Sequence, residues 1–331
     1  MRLKTRPRRH SAVLGMGSYR PRTTVSNEEI GATLRLGARW IESRSGIASR
    51  RFAAPDETVL SMAVAAGRRA LDRAGVPADR VSRVIVATCS NQVRVPAVAN
   101  AVARDLGVVN ASGFDVNAAC AGFCYALALA SDAVSVGEAD HVLVIGVERM
   151  RDIVDEHDKG TSFLFADGAG AAVVGPSAEP GIGPSVSGSD IDSVEAVRMS
   201  SLWGDYEEAP REGGATLRMN GMRVFRWAMA DVLDGARLAL TEAGVGVGDL
   251  AAFVPHQANE RMLDILVAEL GLPPSTVVAR DIRETGNTSA ASVPLALCRL
   301  VEEGTVRTGD PVLLLGFGAG LTYCGQVVLA P

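Results

Sequence analysis

Three short segments set a chemically competent side chain where a strand gives way to a helix. In "DVNAACAGFCYALALA" a strand over 113–116 runs into a turn, and Cys120 stands where a long apolar helix begins. The free N–H groups of a helix start favour thiolate over thiol, so a cysteine there is placed to act as a nucleophile without a charged neighbour. Cys124, one turn further on, shows the plainer alternative of a buried structural thiol. In "FVPHQANERMLDIL", His256 follows a strand, at the end where α/β sheets gather their ligands, and Asn259 is positioned to cap the next helix. In "RETGNTSAASVPLAL", Asn287 lies in a Gly-Asn-Thr-Ser turn opening another helix, and taken alone it reads equally as an N-cap. In "GFGAGLTY" the backbone N–H groups around Ala319 carry little side chain and can approach a ligand. Paired with the N–H of Cys120, Ala319 would form an oxyanion hole, although a simple hairpin turn fits the same residues.

The elements that must bring these segments together are visible as a duplication. "ALDRAGVPADRVSRVIVA" from Ala70 is echoed by "ALTEAGVGVGDLAAFVPH" from Ala239, and "GEADHVLVIG" ending at Gly146 by "RTGDPVLLLG" ending at Gly316. The two pairs share nearly one offset, so the chain is expected to be two tandem α/β halves, each ending in a Gly-rich stretch and antiparallel apolar strands. Apolar strands such as 84–87 and 142–145 alternate with helical stretches such as 58–74 and 120–136. The helix opening at Cys120 and its counterpart near Ala290 are apolar on nearly every side, which predicts burial between two sheets. Cys120 and Asn287 then fall at pseudo-symmetric places around one centre, with His256 beside them. The Pro- and Gly-punctuated stretch 179–220 reads as a linker and surface excursion between an N-terminal half (1–178) and a C-terminal half (221–331).

Composition excludes several function classes. A formal charge of -5 argues against a general nucleic-acid binder. Five cysteines without a C-x-x-C pair or a suitably spaced His point to a reduced, metal-free, cytoplasmic protein. The basic residues among the first ten read as a disordered tail, since no apolar stretch of a secretory signal follows them. No apolar run is long enough to span a membrane. Gly15 and Gly17 follow a strand-like segment, but no third glycine completes a dinucleotide fingerprint.

In combination, "NAACAGF", "PHQAN", "GNTSAAS" and "GFGAGLT" resemble the β-ketoacyl carrier-protein synthase III family of thiolase-like condensing enzymes, over nearly the whole chain. The resemblance implies two βαβαβαββ halves in a five-layered α-β-α-β-α sandwich. It implies that Cys120, His256 and Asn287 form a catalytic triad. Cys120 would take an acyl group from acyl-coenzyme A, and malonyl acyl carrier protein would then lose carbon dioxide and attack that thioester. No metal or redox cofactor is implied.

Further roles follow from the same resemblance. "WIESRSGI" implies that Trp40 stacks on adenine and Arg44 meets phosphate, with Lys159 where many members carry Arg. Asn259 would hydrogen-bond the pantetheine arm, and Arg226 and Arg261 would dock the acidic carrier protein. Members are homodimers in which a loop of one subunit caps the other's acyl pocket. The matching residue here is Val95, where several bacterial relatives have Phe, so a roomier pocket is expected; Phe317 is also assigned to that pocket. "VGPSAEPGIGP" and "VFRWAMADV" look most like actinobacterial synthases that prime polyketide pathways, with the fatty-acid enzyme close behind. Two rivals remain open: an acyltransferase that moves the Cys120 acyl group to a non-malonyl acceptor, and a non-catalytic carrier-protein-binding subunit.

Overall fold

The computed structural model describes residue 6, residues 8–200 and residues 215–331. In the first half the elements are β1 (His10–Tyr19), β2 (Thr23–Ser26), α1 (Asn27–Leu34), α2 (Ala38–Ser45), β3 (Ser49–Phe52), α3 (Val59–Ala74), β4 (Arg83–Ala87), α4 (Val98–Leu106), β5 (Ser112–Val116), α5 (Gly122–Ser135), β6 (Val142–Arg149) and β7 (Asp167–Ser177). The second half contributes β8 (Val186–Ser189), β9 (Val197–Met199), β10 (Leu217–Met219), α6 (Gly221–Trp227), α7 (Leu233–Ala243), β11 (Ala252–Pro255), α8 (Glu260–Leu270), β12 (Val277–Val278), α9 (Ile282–Thr285), α10 (Ser292–Glu302), β13 (Pro311–Gly318) and β14 (Thr322–Leu329).

Two five-stranded sheets have the same plan: β1-β7-β6-β4-β5 in the first, β8-β14-β13-β11-β12 in the second. In both, the strand in the β4 or β11 position runs parallel to its two neighbours, and a hairpin (β6–β7, β13–β14) supplies the antiparallel side. Helices α5 and α10 lie between the sheets. α5 buries Phe123, Cys124, Ala126, Leu127 and Ala130, while α10 buries every residue from Ser292 to Cys298. α3 and α4 cover the outer face of one sheet, and α7 and α8 cover the other. This is the expected five-layered α-β-α-β-α order of the thiolase-like fold.

The halves lock together reciprocally. A Cβ at Gly146 of β6 would stand 2.4 Å from the carbonyl oxygen of Ala290, at the start of α10. One at Gly316 of β13, 170 residues later, would stand 3.0 Å from Cα of Ala121, at the start of α5. Each sheet's glycine thus admits the other half's helix start at backbone contact, which no larger residue allows.

Two expectations are corrected. Residues 186–189, within the stretch read as linker, form β8, which pairs with β14 and closes the second sheet, so this half's first strand lies inside that stretch. Residues 201–214 of it lie outside the described residues. The N-terminal basic segment is not simply a free tail: Arg9 donates to the carbonyls of Val134 (2.8 Å) and Ala139 and pairs with Asp140 (2.9 Å), and Arg6 donates to Gly137. The carbonyl end of a helix attracts cations, and here Val134 lies in the last turn of α5 while Gly137 and Ala139 lie in the turn that follows it. Residues 1–5 and 7 lie outside the described residues.

Candidate active site

Cys120 sits in a single 3-10 turn, Ala119–Ala121, that feeds directly into α5. The equivalent turn, Ser289–Ala291, feeds α10. Both turns begin with a non-glycine residue in the left-handed region, Ala119 at φ 43° and Ser289 at φ 48°, again 170 residues apart. Such backbone is costly and persists only where its surroundings enforce it. The counterpart of Cys120 itself is Ala290, so only one of the two helix starts carries a nucleophile.

The thiol of Cys120 donates to Oγ of Ser289 at 3.5 Å. A Cβ at Gly318 would stand 2.8 Å from Cβ and 3.1 Å from Sγ of Cys120, so the Gly-rich turn with Ala319 closes directly over the cysteine. Gly318, the residue before Ala319, is therefore in backbone contact with the cysteine. Burial pushes the Cys120 thiol up to about 12, offset in part by the Ser289 hydroxyl and reinforced by the carboxylate of Glu148. The sequence suggested a helix-start thiolate without a charged neighbour; desolvation instead favours the thiol, and a buried carboxylate stands nearby.

His256 follows β11, and its N–H is held by the carbonyl of Leu315 on β13 at 2.7 Å. Its ring is buried, with Phe317 edge-on at 5.3 Å between centroids. Burial alone pushes its pKa down to about 3, so it is neutral. Nδ1 lies 2.7 Å from Oγ of Ser292, which also receives the N–H of Gln257 at 3.4 Å. A hydroxyl carries one donor and two acceptor lone pairs, so Ser292 can serve either neutral tautomer, and the contact fixes the orientation of the ring.

Asn287 is buried and held at both ends of its peptide: its N–H donates to Leu164 O at 2.9 Å and its carbonyl accepts from Ala166 N at 2.8 Å. Its Oδ1 accepts from the N–H of Ser289 at 2.9 Å. The side chain thus caps the turn and still leaves Nδ2 as a donor without a partner among the described residues. Two serines of one helix start tie the three expected residues together: Ser289 touches Cys120 and orients Asn287, and Ser292 holds His256.

The remaining expected residues divide. Trp40, Arg44 and Asn259 cluster: the Arg44 guanidinium lies 5.5 Å from the Trp40 ring centroid, and Nδ2 of Asn259 donates to Arg44 O at 2.9 Å while its Oδ1 caps α8. Trp40 is 39% exposed and meets Phe163 edge-on. Lys159 is exposed and makes no hydrogen bond or ion pair among the described residues. Arg226 on α6 and Arg261 on α8 are exposed, and among the described residues neither makes an ion pair. Val95 is 86% exposed. Phe317 departs from its expected place: strand alternation sends Gly316 and Gly318 toward α5 and Phe317 to the opposite face, where it packs in the outer core against His256.

Four residues that the sequence did not single out belong to this neighbourhood: Ser289, Ser292, Cys89 and Glu148. Both serines lie within the quoted "GNTSAAS" motif, but nothing local says which hydroxyl faces which half. Glu148 is the penultimate residue of β6, after the apolar run "VLVIGV", and would be read as solvent-facing; it is fully buried.

Two duplicated sheets around a buried pair of helices, with a cysteine at one helix start, define a condensing enzyme of the thiolase-like fold. The family model described as 3-oxoacyl-[acyl-carrier-protein] synthase III matches residues 114–191, and the model of its C-terminal region matches 240–329. The β-ketoacyl-[acyl-carrier-protein] synthase III of Streptomyces lividans is 56% identical over 329 residues, 99% of this chain and 97% of that protein. That of Streptomyces glaucescens is 48% identical over 322 residues, 97% of each. Among solved structures, the priming β-ketosynthase of the R1128 polyketide biosynthetic pathway superposes with a TM-score of 0.98 at 56% identity, covering 99% of this chain and 98% of that one. The Aquifex aeolicus synthase III gives 0.88 at 33% identity, covering 96% and 99%. The chain belongs to the 3-oxoacyl-[acyl-carrier-protein] synthase III family and is an acyl-transferring condensing enzyme.

Proposed function

We propose that Cys120 takes an acyl group from an acyl-coenzyme A and that malonyl acyl carrier protein, on losing carbon dioxide, attacks it to give a β-ketoacyl carrier protein that primes polyketide synthesis. The observation that carries this reading is a pair of side-chain nitrogens without partners among the described residues, Nε2 of His256 and Nδ2 of Asn287, which are both donors when Nε2 carries the ring proton. Decarboxylation turns the malonyl thioester oxygen into an enolate oxygen, and two fixed donors at that point bind it more tightly than the starting carbonyl. An acyltransfer without an enolate has little use for the Asn287 amide. The peptides of Cys120 and Ala319 would serve the acyl thioester. Thioester exchange and decarboxylation of a malonyl group call for no metal or redox group.

Trp40, Arg44, Lys159 and Asn259 would receive coenzyme A, and Arg226 and Arg261, exposed and without an ion pair among the described residues, suit an acidic carrier protein. Edge strand β5 with Phe114 exposed, and exposed Val93 and Val95 in the loop between β4 and α4, support a homodimer in which Val95 reaches the partner's acyl pocket. Its small size supports propionyl, branched or longer starters. Phe317, packed behind His256, serves that ring more directly than the pocket. The likeness to the R1128 priming ketosynthase supports the polyketide role. All five cysteines are free, and among the described residues no helix is long and apolar enough to cross a membrane, in keeping with a cytoplasmic enzyme.

Intact mass after incubation with a panel of acyl-coenzyme A thioesters, followed by malonyl carrier protein, tests the proposal. A Cys120-dependent adduct that the chase removes as β-ketoacyl carrier protein is the expected result. An adduct that survives the chase, or none at all, would overturn it.

A further inference from the structure

Acylation requires Cys120 to lose a proton, and the residues already described do not explain where it goes. His256 makes no hydrogen bond to Cys120, its Nδ1 is engaged by Ser292, and burial disfavours its charged form, so it is a poor acceptor for that proton. A thiol that burial pushes up to about 12 is held in its protonated form at neutral pH. Beyond Cys120, however, the hydrogen bonds continue inward. Ser289 Oγ accepts from Sγ of Cys120 at 3.5 Å and donates to Oε1 of Glu148 at 3.0 Å.

Glu148 is fully buried near the end of β6 and makes no ion pair among the described residues. It accepts from the N–H groups of Cys89 (3.1 Å) and Ser90 (3.0 Å), the hydroxyls of Ser90 and Thr88 (3.2 Å), and the thiol of Cys89 (3.3 Å). An unpaired buried carboxylate is an expensive way to tie down a loop, and a neutral amide or hydroxyl would avoid the charge. The titratable groups facing it are Cys89, from the loop after β4, and Cys120, from the start of α5; the neighbouring Arg149 turns to Asp152 at 3.5 Å. The Cys89 thiol is held well above its ordinary range by burial and by Glu148, so it stays protonated. The left-handed backbone of Ser289 sets its hydroxyl between the thiol and the carboxylate.

We propose that Glu148, acting through the Ser289 hydroxyl, takes up the Cys120 proton when the acyl group arrives and returns it when the condensed product leaves. The Cys120 S–H bond breaks as its proton passes to Ser289 oxygen and the serine proton moves to Oε1 of Glu148. The sulfur electron pair forms the new bond to the acyl carbon, and coenzyme A departs as a thiolate that water protonates. In the second half-reaction the enolate carbon attacks the same acyl carbon, the carbon–sulfur bond to Cys120 breaks, and sulfur recovers its proton by the reverse path. Glu148 is in these terms a positioning residue for the proton, and Ser289 is the group that touches the reacting sulfur. Burial raises the Glu148 carboxyl while its donors pull it down, which leaves a proton acceptor stronger than a solvated carboxylate.

The relay rests on the reading of Cys120 as nucleophile, and one experiment separates the two. Rapid-quench mass measurement of the Cys120 adduct from isobutyryl-coenzyme A, between pH 5.5 and 9, is made on wild type, Glu148→Gln, Ser289→Ala and the double variant. Wild type should level off above a single acid limb. Either single variant should acylate about 10²-fold more slowly at pH 7 and rise roughly tenfold per pH unit toward pH 9. The double variant should be no slower than the slower single one, because both cuts sever the same path. Glu148→Asp, which keeps the charge, should recover part of the rate. A wild-type pH profile in Ser289→Ala or in a folded Glu148→Gln, or losses that multiply in the double variant, would overturn the relay. A wild-type enzyme that forms no Cys120 adduct at any pH would instead remove the proposed function, and the relay with it.

Discussion

Oγ of Ser292 lies 2.7 Å from Nδ1 of His256, so the first residue of α10 holds the ring that follows β11. The N–H of Gln257 reaches the same serine oxygen at 3.4 Å, so one hydroxyl anchors both the ring and the peptide that follows it. Ser292→Ala should therefore slow condensation by about tenfold or more, equivalent to roughly 1–3 kcal/mol for an orphaned buried partner. Acylation of Cys120 should change less than about threefold. Single-turnover measurement of each half-reaction separates the two, and an equal loss in both would count against the assignment.

The neutrality of His256 has a consequence for stability. Its pKa falls from an ordinary 6.5 to about 3 on folding. Between those values the unfolded chain binds a proton that the folded one does not, so stability rises with pH there and is lost as pH falls below about 6.5, by up to about 1.4 kcal/mol per unit from this one group. Urea unfolding at pH 5, 6 and 7 should show that slope in wild type and a shallower one in His256→Gln.

At Gly318 the space for a side chain is already taken by Cβ and Sγ of Cys120. Gly318→Ala should displace the nucleophile and lower the acylation rate at least about 10²-fold, since misplacement of about 1 Å has that effect, while the chain stays folded. Gly146→Ala should behave differently: its Cβ meets the Ala290 carbonyl, inside the junction of the halves, and about 1–3 kcal/mol of stability should be lost. Thermal melts beside adduct formation rates would distinguish the two classes.

Arg226 and Arg261 are exposed on α6 and α8. Reversing both to Glu should raise KM for malonyl carrier protein about tenfold or more and flatten its salt dependence, leaving acylation by acyl-coenzyme A unchanged. Equal effects on both substrates would argue against a docking role.

Much of the architecture was legible because duplication and hydrophobic periodicity are local, repeated signals. The helices over 59–74 and 122–135, the strands at 83–87 and 142–149 and the shared offset all follow from them. The segments holding Cys120, His256 and Asn287 were legible because a reactive side chain at an element boundary is a departure from bland composition. β8 escaped because "VSGS" is four residues with two serines and a glycine, and only its pairing with β14 makes it a strand. Phe317 was assigned to the wrong surroundings because its strand is apolar on both faces, so alternation gives no sign of which side meets the cysteine.

The sequence by itself determined the fold, its internal repeat and the three side chains able to do chemistry, since these depend on residue type and spacing along the chain. Only the tertiary structure decided their protonation and their partners. That Cys120 rests as a thiol, that the His256 ring is neutral and held by Ser292, and that Glu148 is buried behind Ser289 all arise from desolvation and from hydrogen bonds between residues more than thirty positions apart. Those energies do not exist until the two halves close on each other.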